Sequence, residues 1–435
     1  MAQIASNLKN RSYLQNSVAI LLFFASWGIW WSFFQLWLTK PAAEGGLGFD
    51  GGQVGTIYSI NSAATLVIMF FYGTVQDRLG TKRHLAILLG VIATCIGPFA
   101  NFVYRPLLES NFWLGTIVGA IVLSAGFMAG AGLMEAIAER MSRLHNFEYG
   151  QARMWGSFGY ALVALVAGFL FVVNPALNFW VGSAFGFALL LVQLLWKVKE
   201  PVHVVDGIEE APSVPGIREM LGLLKMPTLW AVILFVIGSW TFYNLFDQQM
   251  FPDFYTGLFE SKARGEQVYG ILNSVQVFAE AAMMGVIPIL MRKVGVKPAL
   301  MMGVTVMALR ILGCAVFTDP IIVSGVKMLH AIEVPLFILP IFRYFTLHFN
   351  PLLSATLYMV GFQIASQIGS VILSPPMGAL RDAIGYQPTF FVISAIVAVA
   401  GVYAFFVLKP DDKDVLGDPF IRDGAKTDIA TIAAN

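Results

Sequence analysis

Eight ionisable side chains stand inside long apolar runs of this sequence, and their types indicate its chemistry. They comprise four acids, three fixed bases and one imidazole: Glu135, Arg153, Asp247, Glu280, Arg310, Lys327, His330 and Glu333. Charges in apolar surroundings are costly, so such residues are functional candidates. Their near balance predicts pairing around a shared cavity; a static set of ion pairs between helices is the alternative.

Three of these residues lie in "VKMLHAIEVP", at a spacing of three. On a helix, Lys327, His330 and Glu333 would occupy an arc of about 120°. An imidazole within one turn of a carboxyl is typical of a proton relay, because imidazole titrates near neutral pH. We predict that Glu333 carries a proton beside His330. Arg310, in the preceding apolar run, is the candidate cation that drives the proton off.

A second pair, Glu135 and Arg153, brackets a short polar loop between two apolar runs. A carboxylate and a guanidinium that face one cavity can hold several hydroxyl groups in fixed directions. Aromatic faces stack on the apolar face of a sugar ring, and Trp30, Trp155 and Tyr160 are the candidates. These types together predict a sugar site.

The elements that must position these residues are membrane helices. The chain of 435 residues is 57% hydrophobic and 12% charged, whereas soluble domains are about a quarter charged. Apolar runs of about 20 residues cross a bilayer as helices. The sequence predicts twelve such spans, near residues 17–39, 53–76, 84–104, 112–139, 152–174, 178–196, 229–251, 267–291, 297–317, 320–344, 353–378 and 386–408.

Several function classes find no support in the sequence. It has no Walker A pattern and no hydrolase motif with supporting context, so we expect neither an enzyme nor an ATP-driven pump. The net charge of +1 gives no reason to expect a nucleic-acid partner. Cys95 and Cys314 lack metal-ligand spacing, and we expect no metal site and no cofactor.

The spans divide into two halves. The longest polar stretch, residues 197–227, predicts a cytoplasmic linker between a six-helix half at 1–196 and a second at 228–408, with a cytoplasmic tail at 409–435. Most of the 27 Lys and Arg side chains then fall on one side, which places both termini in the cytoplasm. Paired six-helix halves are typical of secondary transporters, whose substrate binds between them.

Three motifs carry a resemblance to a known family. "NFEYGQARMWGSFGY", "FYNLFDQQMFPDFYTGLFES" and "KMLHAIEVP" resemble the oligosaccharide:proton symporters of the major facilitator superfamily, the group of the lactose, raffinose and sucrose permeases. The similarity covers nearly the whole chain. It implies an all-α polytopic protein of the bacterial cytoplasmic membrane that transports a disaccharide together with a proton. Nothing in the sequence demands more than a monomer. A further loop is similar to the general gating motif of the superfamily, through Gly73, Asp77, Arg78, Gly80, Lys82 and Arg83.

The resemblance also implies roles for individual residues. Glu135 and Arg153 match the acid and base that bind sugar. Arg310, His330 and Glu333 match the proton-coupling machinery. Lys327 and Asp247 match a structural charge pair between spans ten and seven, and Asp247 and Asn244 are further candidates for sugar contacts.

Two departures from lactose permease bear on the substrate. Asn244 and Ser366 replace a second charge pair, and Val277 replaces an essential acid, with Glu280 following one turn later. Both departures are similar to sucrose permeases and favour sucrose. Whether Glu280 binds sugar or couples protons stays open.

Other functions also remain open at this point. The sugar could instead be raffinose, lactose, maltose, trehalose or a glycoside. A proton-independent sugar facilitator is the main alternative mechanism. A membrane sugar sensor would usually carry a large signalling domain, and we expect none in the short polar tail.

Overall fold

The computed structural model describes residues 10–79, 83–145, 147–196, 222–350, 353–413 and 415, and the regular structure within them is helical. Eleven of these helices are long and apolar enough to span a membrane, and a pair bent by 49° forms a twelfth span. The predicted all-α fold with twelve membrane helices is therefore confirmed. The spans are α1 (Arg11–Thr39), α2 (Gly51–Gly73), α3 (His84–Thr94 with Ile96–Ser110), α4 (Phe112–His145), α5 (Tyr149–Val173), α6 (Ala176–Leu195), α7 (Pro227–Gln249), α8 (Lys262–Val294), α9 (Val296–Val316), α10 (Pro320–His348), α11 (Thr356–Ile384) and α12 (Tyr386–Val407).

The proposed domain boundaries fall largely where the structure gives no description. Two stretches lie outside the described residues: 197–221 of the predicted linker, and 414 and 416–435 of the predicted tail. Helices α1–α6 precede the linker and α7–α12 follow it. The exact limits of the linker and the tail therefore stay predictions.

Glycines allow helices of the same half to approach closely. A Cβ atom at Gly159 of α5 would lie 2.5 Å from the carbonyl oxygen of Leu21 in α1. One at Gly303 of α9 would lie 2.7 Å from the carbonyl oxygen of Leu336 in α10. Close backbone packing of this kind is a main source of helix association in membranes, where burial of apolar surface adds little.

Two spans are interrupted where polar residues gather. The first helical segment of α1 ends at Trp31 and the next begins at Phe34. In α10 the break falls at Leu329, whose N–H donates to the carbonyl of Val326 at 3.1 Å. Interrupted helices in transporters line the substrate and ion sites. The interruptions of α1 and α10 therefore mark candidate site positions.

The two halves pack tightly at one end of the helices, the end that carries the α1–α2, α7–α8 and α11–α12 connections. We call this the outer end. A Cβ atom at Gly378 of α11 would overlap the carbonyl oxygen of Gly51 in α2. A Cβ atom at Gly168 of α5 would lie 2.6 Å from the carbonyl oxygen of Glu266 in α8. Backbone contact at these two places closes the outer end.

Polar contacts reinforce this closure. Lys40 Nζ, after α1, lies 2.5 Å from Glu266 Oε1, and both side chains are buried. The N–H groups of Gly51 and Gly52, at the start of α2, donate to the carboxylate of Asp382 at 2.9 Å each. A carboxylate at a helix N-terminus is stabilised by the helix dipole and the exposed N–H groups. The halves are thus joined by an ion pair and a helix cap.

The opposite end, which we call the inner end, contains a cavity between the halves. Its volume is about 560 Å³, and its walls include Tyr72 and Gly73 of α2, Glu135 of α4 and Gln363 of α11. The halves are thus packed together at the outer end and separated by a cavity at the inner end.

Replacing Gly378 with tryptophan should force the outer end apart, because no side chain fits against the Gly51 carbonyl. We expect Gly378→Trp to lose transport and to lengthen the distance between spin labels at position 109, in the last turn of α3, and position 260, in the loop before α8. Double electron–electron resonance measures that distance.

The matched control is Gly325→Trp, where an added Cβ atom would meet no atom within 4 Å. It should leave the distance unchanged. Equal distances in the Gly378 variant and the parent would show that α2 and α11 do not form the outer closure.

Candidate functional site

A buried guanidinium holds together two acidic residues from different helices. Arg310 of α9 is fully buried and contacts Glu333 of α10 through two bonds, from Nε at 2.6 Å and from Nη2 at 2.8 Å. Its Nη1 donates to Asp247 of α7 at 2.9 Å. Bidentate pairing satisfies the geometry of both planar groups. Arg310 therefore links α7, α9 and α10.

A second cation balances the charge of this group. Lys327 Nζ lies 2.5 Å from Asp247 Oδ1, and the lysine is 1% exposed. Two cations and two carboxylates thus form one buried cluster of ion pairs. Removing one partner from such a group commonly costs about 3–5 kcal/mol, because an uncompensated charge remains.

His330 lies between this charge cluster and Glu280 of α8. Its Nδ1 is 3.4 Å from Asp247 Oδ1, and its Nε2 is 3.7 Å from Glu280 Oε2. The hydroxyl of Tyr243 is 3.2 Å from Nε2. A chain of titratable groups therefore runs from the cluster to Glu280, which is partly exposed.

Aromatic rings pack against the cations of the cluster. The Arg310 guanidinium lies 4.9 Å from the ring centroid of Phe246. Lys327 Nζ lies 4.7 Å from the ring centroid of Phe251. Cation–π contacts are strengthened when the cation is desolvated.

The pair predicted to bind sugar forms a separate contact near the inner cavity. Arg153 Nε lies 2.5 Å from Glu135 Oε1, and each side chain is about one third exposed, at 31% and 34%. The Arg153 guanidinium stacks on Phe24 at 4.4 Å. Partial exposure leaves polar surface of both residues accessible to hydroxyl groups from the cavity.

A smaller cavity of about 200 Å³ also lies between the halves, and we call it the central cavity. The first half contributes Trp31, Tyr58 and Tyr160, and the second contributes Glu280 and His330 among others. Aromatic rings and polar groups that converge on one concave site are typical of sugar binding. Tyr160, predicted as an aromatic contact, lies in this wall.

The other two predicted aromatic contacts have different surroundings, and their roles stay predictions. Trp30 is 1% exposed and packs against Phe127 and Phe179, with ring centroids 5.0 and 5.6 Å away. Trp155 donates its Nε1–H to the hydroxyl of Tyr13 at 3.2 Å. Neither residue is among those that line the two cavities. Adjacent helical residues point about 100° apart, so Trp31 occupies the cavity wall that we predicted for Trp30.

Asn244 and Ser366 contact each other directly. The amide of Asn244 in α7 donates to the hydroxyl of Ser366 in α11 at 3.3 Å. Gln248, which lines the central cavity, lies 3.5 Å from Asn244 Oδ1. A neutral hydrogen bond thus joins α7 to α11 here. Asn244 lies behind the cavity wall, and its predicted contact with sugar would be indirect.

Sequence reasoning missed several polar residues of the central cavity. They are uncharged side chains within apolar runs: Gln35, Tyr58, Tyr243, Gln248, Tyr269, Asn273 and Gln276. The sequence prediction rests mainly on charged residues and aromatic rings inside the spans. Buried amides also carry a desolvation cost, so glutamines inside apolar runs were the signal that could have found them.

The predicted gating motif is only partly described. Gly80 and Lys82 lie outside the described residues, and the side chains of Asp77 and Arg78 are not described. Gly73 lines the inner cavity. Arg83 donates to the carbonyl of Trp196 at 2.7 Å, just after α6. Arg83 therefore anchors the α2–α3 loop to the end of the first half.

A family model described as LacY proton/sugar symporter matches residues 5–418. The chain belongs to this family. It is therefore a membrane transporter that couples a sugar to a proton, which confirms the resemblance noted from its motifs. Sucrose permease of Escherichia coli is 44% identical over 414 residues, which cover 94% of this chain and 97% of that permease. Raffinose permease of Escherichia coli is 34% identical over 93% of this chain and 94% of its own length.

Solved structures confirm the major facilitator fold. The nucleoside transporter NupG superposes with a TM-score of 0.76 at 16% identity, over 92% of this chain and 100% of that chain. A D-xylose–proton symporter superposes with a TM-score of 0.66 at 14% identity, over 93% and 98%.

Replacing Arg153 with lysine should weaken sugar binding by about 10- to 100-fold, because lysine cannot form a bidentate contact. Equilibrium binding of radiolabelled disaccharide to purified protein measures the effect. Arg105→Lys, at an exposed pair with Glu109 on the outer end, is the control and should bind like the parent. Unchanged affinity in Arg153→Lys would remove this residue from the sugar site.

Proposed function

We propose that this protein imports sucrose together with a proton by alternating access, in the bacterial cytoplasmic membrane. One observation carries the proposal. The buried Arg310–Glu333 pair connects through Asp247 and His330 to Glu280, and Glu280 lines the cavity between the halves. Proton chemistry and sugar chemistry therefore meet in one chain of contacts.

Sucrose is the favoured substrate for two reasons. The sucrose permease of Escherichia coli shares more of this sequence than the lactose or raffinose permeases, at 44% against 33% and 34%. Asn244 and Ser366, which replace a charge pair of lactose permease, form a neutral hydrogen bond. The second departure, Glu280, supplies a carboxylate to the cavity wall. A carboxylate accepts hydrogen bonds from sugar hydroxyls.

The structure suits the stage after proton release. Glu333 accepts two bonds from Arg310, and bidentate pairing of this kind is made to a carboxylate. In the outward-open stage, a proton would occupy Glu333, and sugar would bind among Glu135, Arg153 and Glu280. The halves then rock, the sugar leaves through the inner cavity, and Arg310 displaces the proton.

The membrane potential would supply the energy for accumulation. One charge that moves through about 100 mV gains about 2.3 kcal/mol. This free energy supports roughly 50-fold accumulation of sugar before any pH gradient is added.

Remaining features of the proposal concern orientation and assembly. We place both termini in the cytoplasm, because the basic loops lie on that side. We also propose that a monomer is sufficient, since the central cavity is bounded by the two halves of one chain. The proton is the coupling ion, and the mechanism needs no further cofactor.

Replacing Glu333 with glutamine should abolish active accumulation but preserve exchange of internal for external sugar. The amide cannot release a proton, so the loaded carrier could cross but could not reset. Uptake and counterflow of radiolabelled sucrose in proteoliposomes measure the two processes separately. Glu109→Gln, at an exposed pair, is the control. Full accumulation by Glu333→Gln would exclude Glu333 as the proton site.

The same proteoliposomes test the substrate and the coupling. A panel of sucrose, raffinose, lactose, maltose and trehalose ranks the sugars. Addition of the best substrate should alkalinise the external medium. Sugar entry without alkalinisation would favour proton-independent facilitation, and a preference for another sugar would overturn the assignment of sucrose.

A further inference from the structure

Two buried amides in the wall of the central cavity have polar atoms without a hydrogen-bond partner among the described residues. Gln35, of α1, is 2% exposed, and neither its Nε2 nor its Oε1 has a hydrogen-bond partner among the described residues. Gln276, of α8, is 3% exposed, and its Oε1 likewise has no partner among them. Both side chains lie in the wall of the same cavity of about 200 Å³. They come from opposite halves of the protein.

Buried polar groups in folded proteins are nearly always hydrogen-bonded, and an unsatisfied one weakens the fold. A comparable amide in this chain is satisfied at its nitrogen, although its Oε1 has no partner among the described residues. Gln249, 5% exposed at the end of α7, donates to the hydroxyl of Ser374 in α11 at 3.0 Å. Gln249 thus joins two helices, whereas Gln35 joins none of the described helices through its side chain. Gln35 therefore has no structural role that its contacts explain.

The position of Gln35 is fixed by its surroundings. It is the second residue of Phe34–Thr39, the short segment that follows the interruption of α1. Phe34 stacks on Trp31 with ring centroids 5.3 Å apart, and Trp31 lines the same cavity. The amide is thus presented beside an aromatic face. Amide and aromatic groups together suit a sugar ring, whose hydroxyls both donate and accept hydrogen bonds.

We propose that Gln35 and Gln276 form a second sugar subsite, which binds hydroxyl groups of the ring not held by Glu135 and Arg153. The inference rests on the proposed function and makes it more specific. Both amides are neutral, so they bind a polyol without perturbing the nearby charge cluster. Because the two residues belong to different halves, the subsite is complete when the outer end is closed. It would favour a disaccharide over a single ring.

The test combines stability with affinity, using Gln35→Leu and Gln276→Leu. Leucine removes the unsatisfied amide. In the absence of sugar, the Gln35→Leu variant should therefore melt at the same temperature as the parent or higher. Its dissociation constant for sucrose should rise about tenfold, as expected for the loss of one or two hydrogen bonds. One of the two single sugars, glucose or fructose, should occupy the Glu135–Arg153 site. The concentration of that sugar that inhibits sucrose binding should change less than about twofold in the variants. Thermal unfolding and equilibrium binding of radiolabelled sucrose measure these effects.

Gln249→Leu is the matched control. It should lower the melting temperature, because Ser374 loses its partner, and leave sucrose affinity unchanged. The subsite is overturned if Gln35→Leu and Gln276→Leu bind sucrose within twofold of the parent, or if affinity for both single rings falls in parallel with affinity for sucrose. A parent protein that binds none of the disaccharides would instead overturn the proposed function, and the subsite with it.

Discussion

A guanidinium within a membrane protein must be neutralised where it lies, and this requirement organises the second half of the molecule. Arg310 is fully buried, and it contacts Glu333 on α10 and Asp247 on α7. Lys327 and His330 complete the group around Asp247. Such a cluster is stable only when its charges balance. A proton that enters or leaves a carboxylate here changes that balance, so helix positions and protonation are coupled.

The outer closure also depends on paired charges, but it involves fewer charged groups than the Arg310 cluster. Lys40 and Glu266 form a buried ion pair between the halves, and Asp382 caps the start of α2. Opening the outer end must break these contacts and expose the groups to water. Hydration of the separated charges offsets much of the lost attraction. A transporter needs contacts of this kind, since closed and open arrangements must differ by only a few kcal/mol.

Much of the fold and part of the site are predictable from the sequence. Twelve spans follow from long apolar runs, and the contacts of Arg310, Lys327 and Glu333 follow from the cost of charge in a membrane. Aromatic residues do not carry that cost, so Trp30 and Trp31 cannot be distinguished by composition, and only packing decides that Trp31 faces the cavity. The closeness of Gly51 to Gly378 depends on how two distant helices cross. Local sequence contains no such information.

We propose that Arg310 pairs with the Glu333 carboxylate while the outer end is closed, and that a proton occupies Glu333 when the outer end opens. Infrared difference spectroscopy tests this proposal by comparing the Gly378→Trp variant, whose outer end is forced apart, with the parent at neutral pH. We expect a band of a protonated carboxyl group in the variant, and its loss when Glu333→Gln is added. No carboxyl band, or a band that persists without Glu333, would contradict the claim.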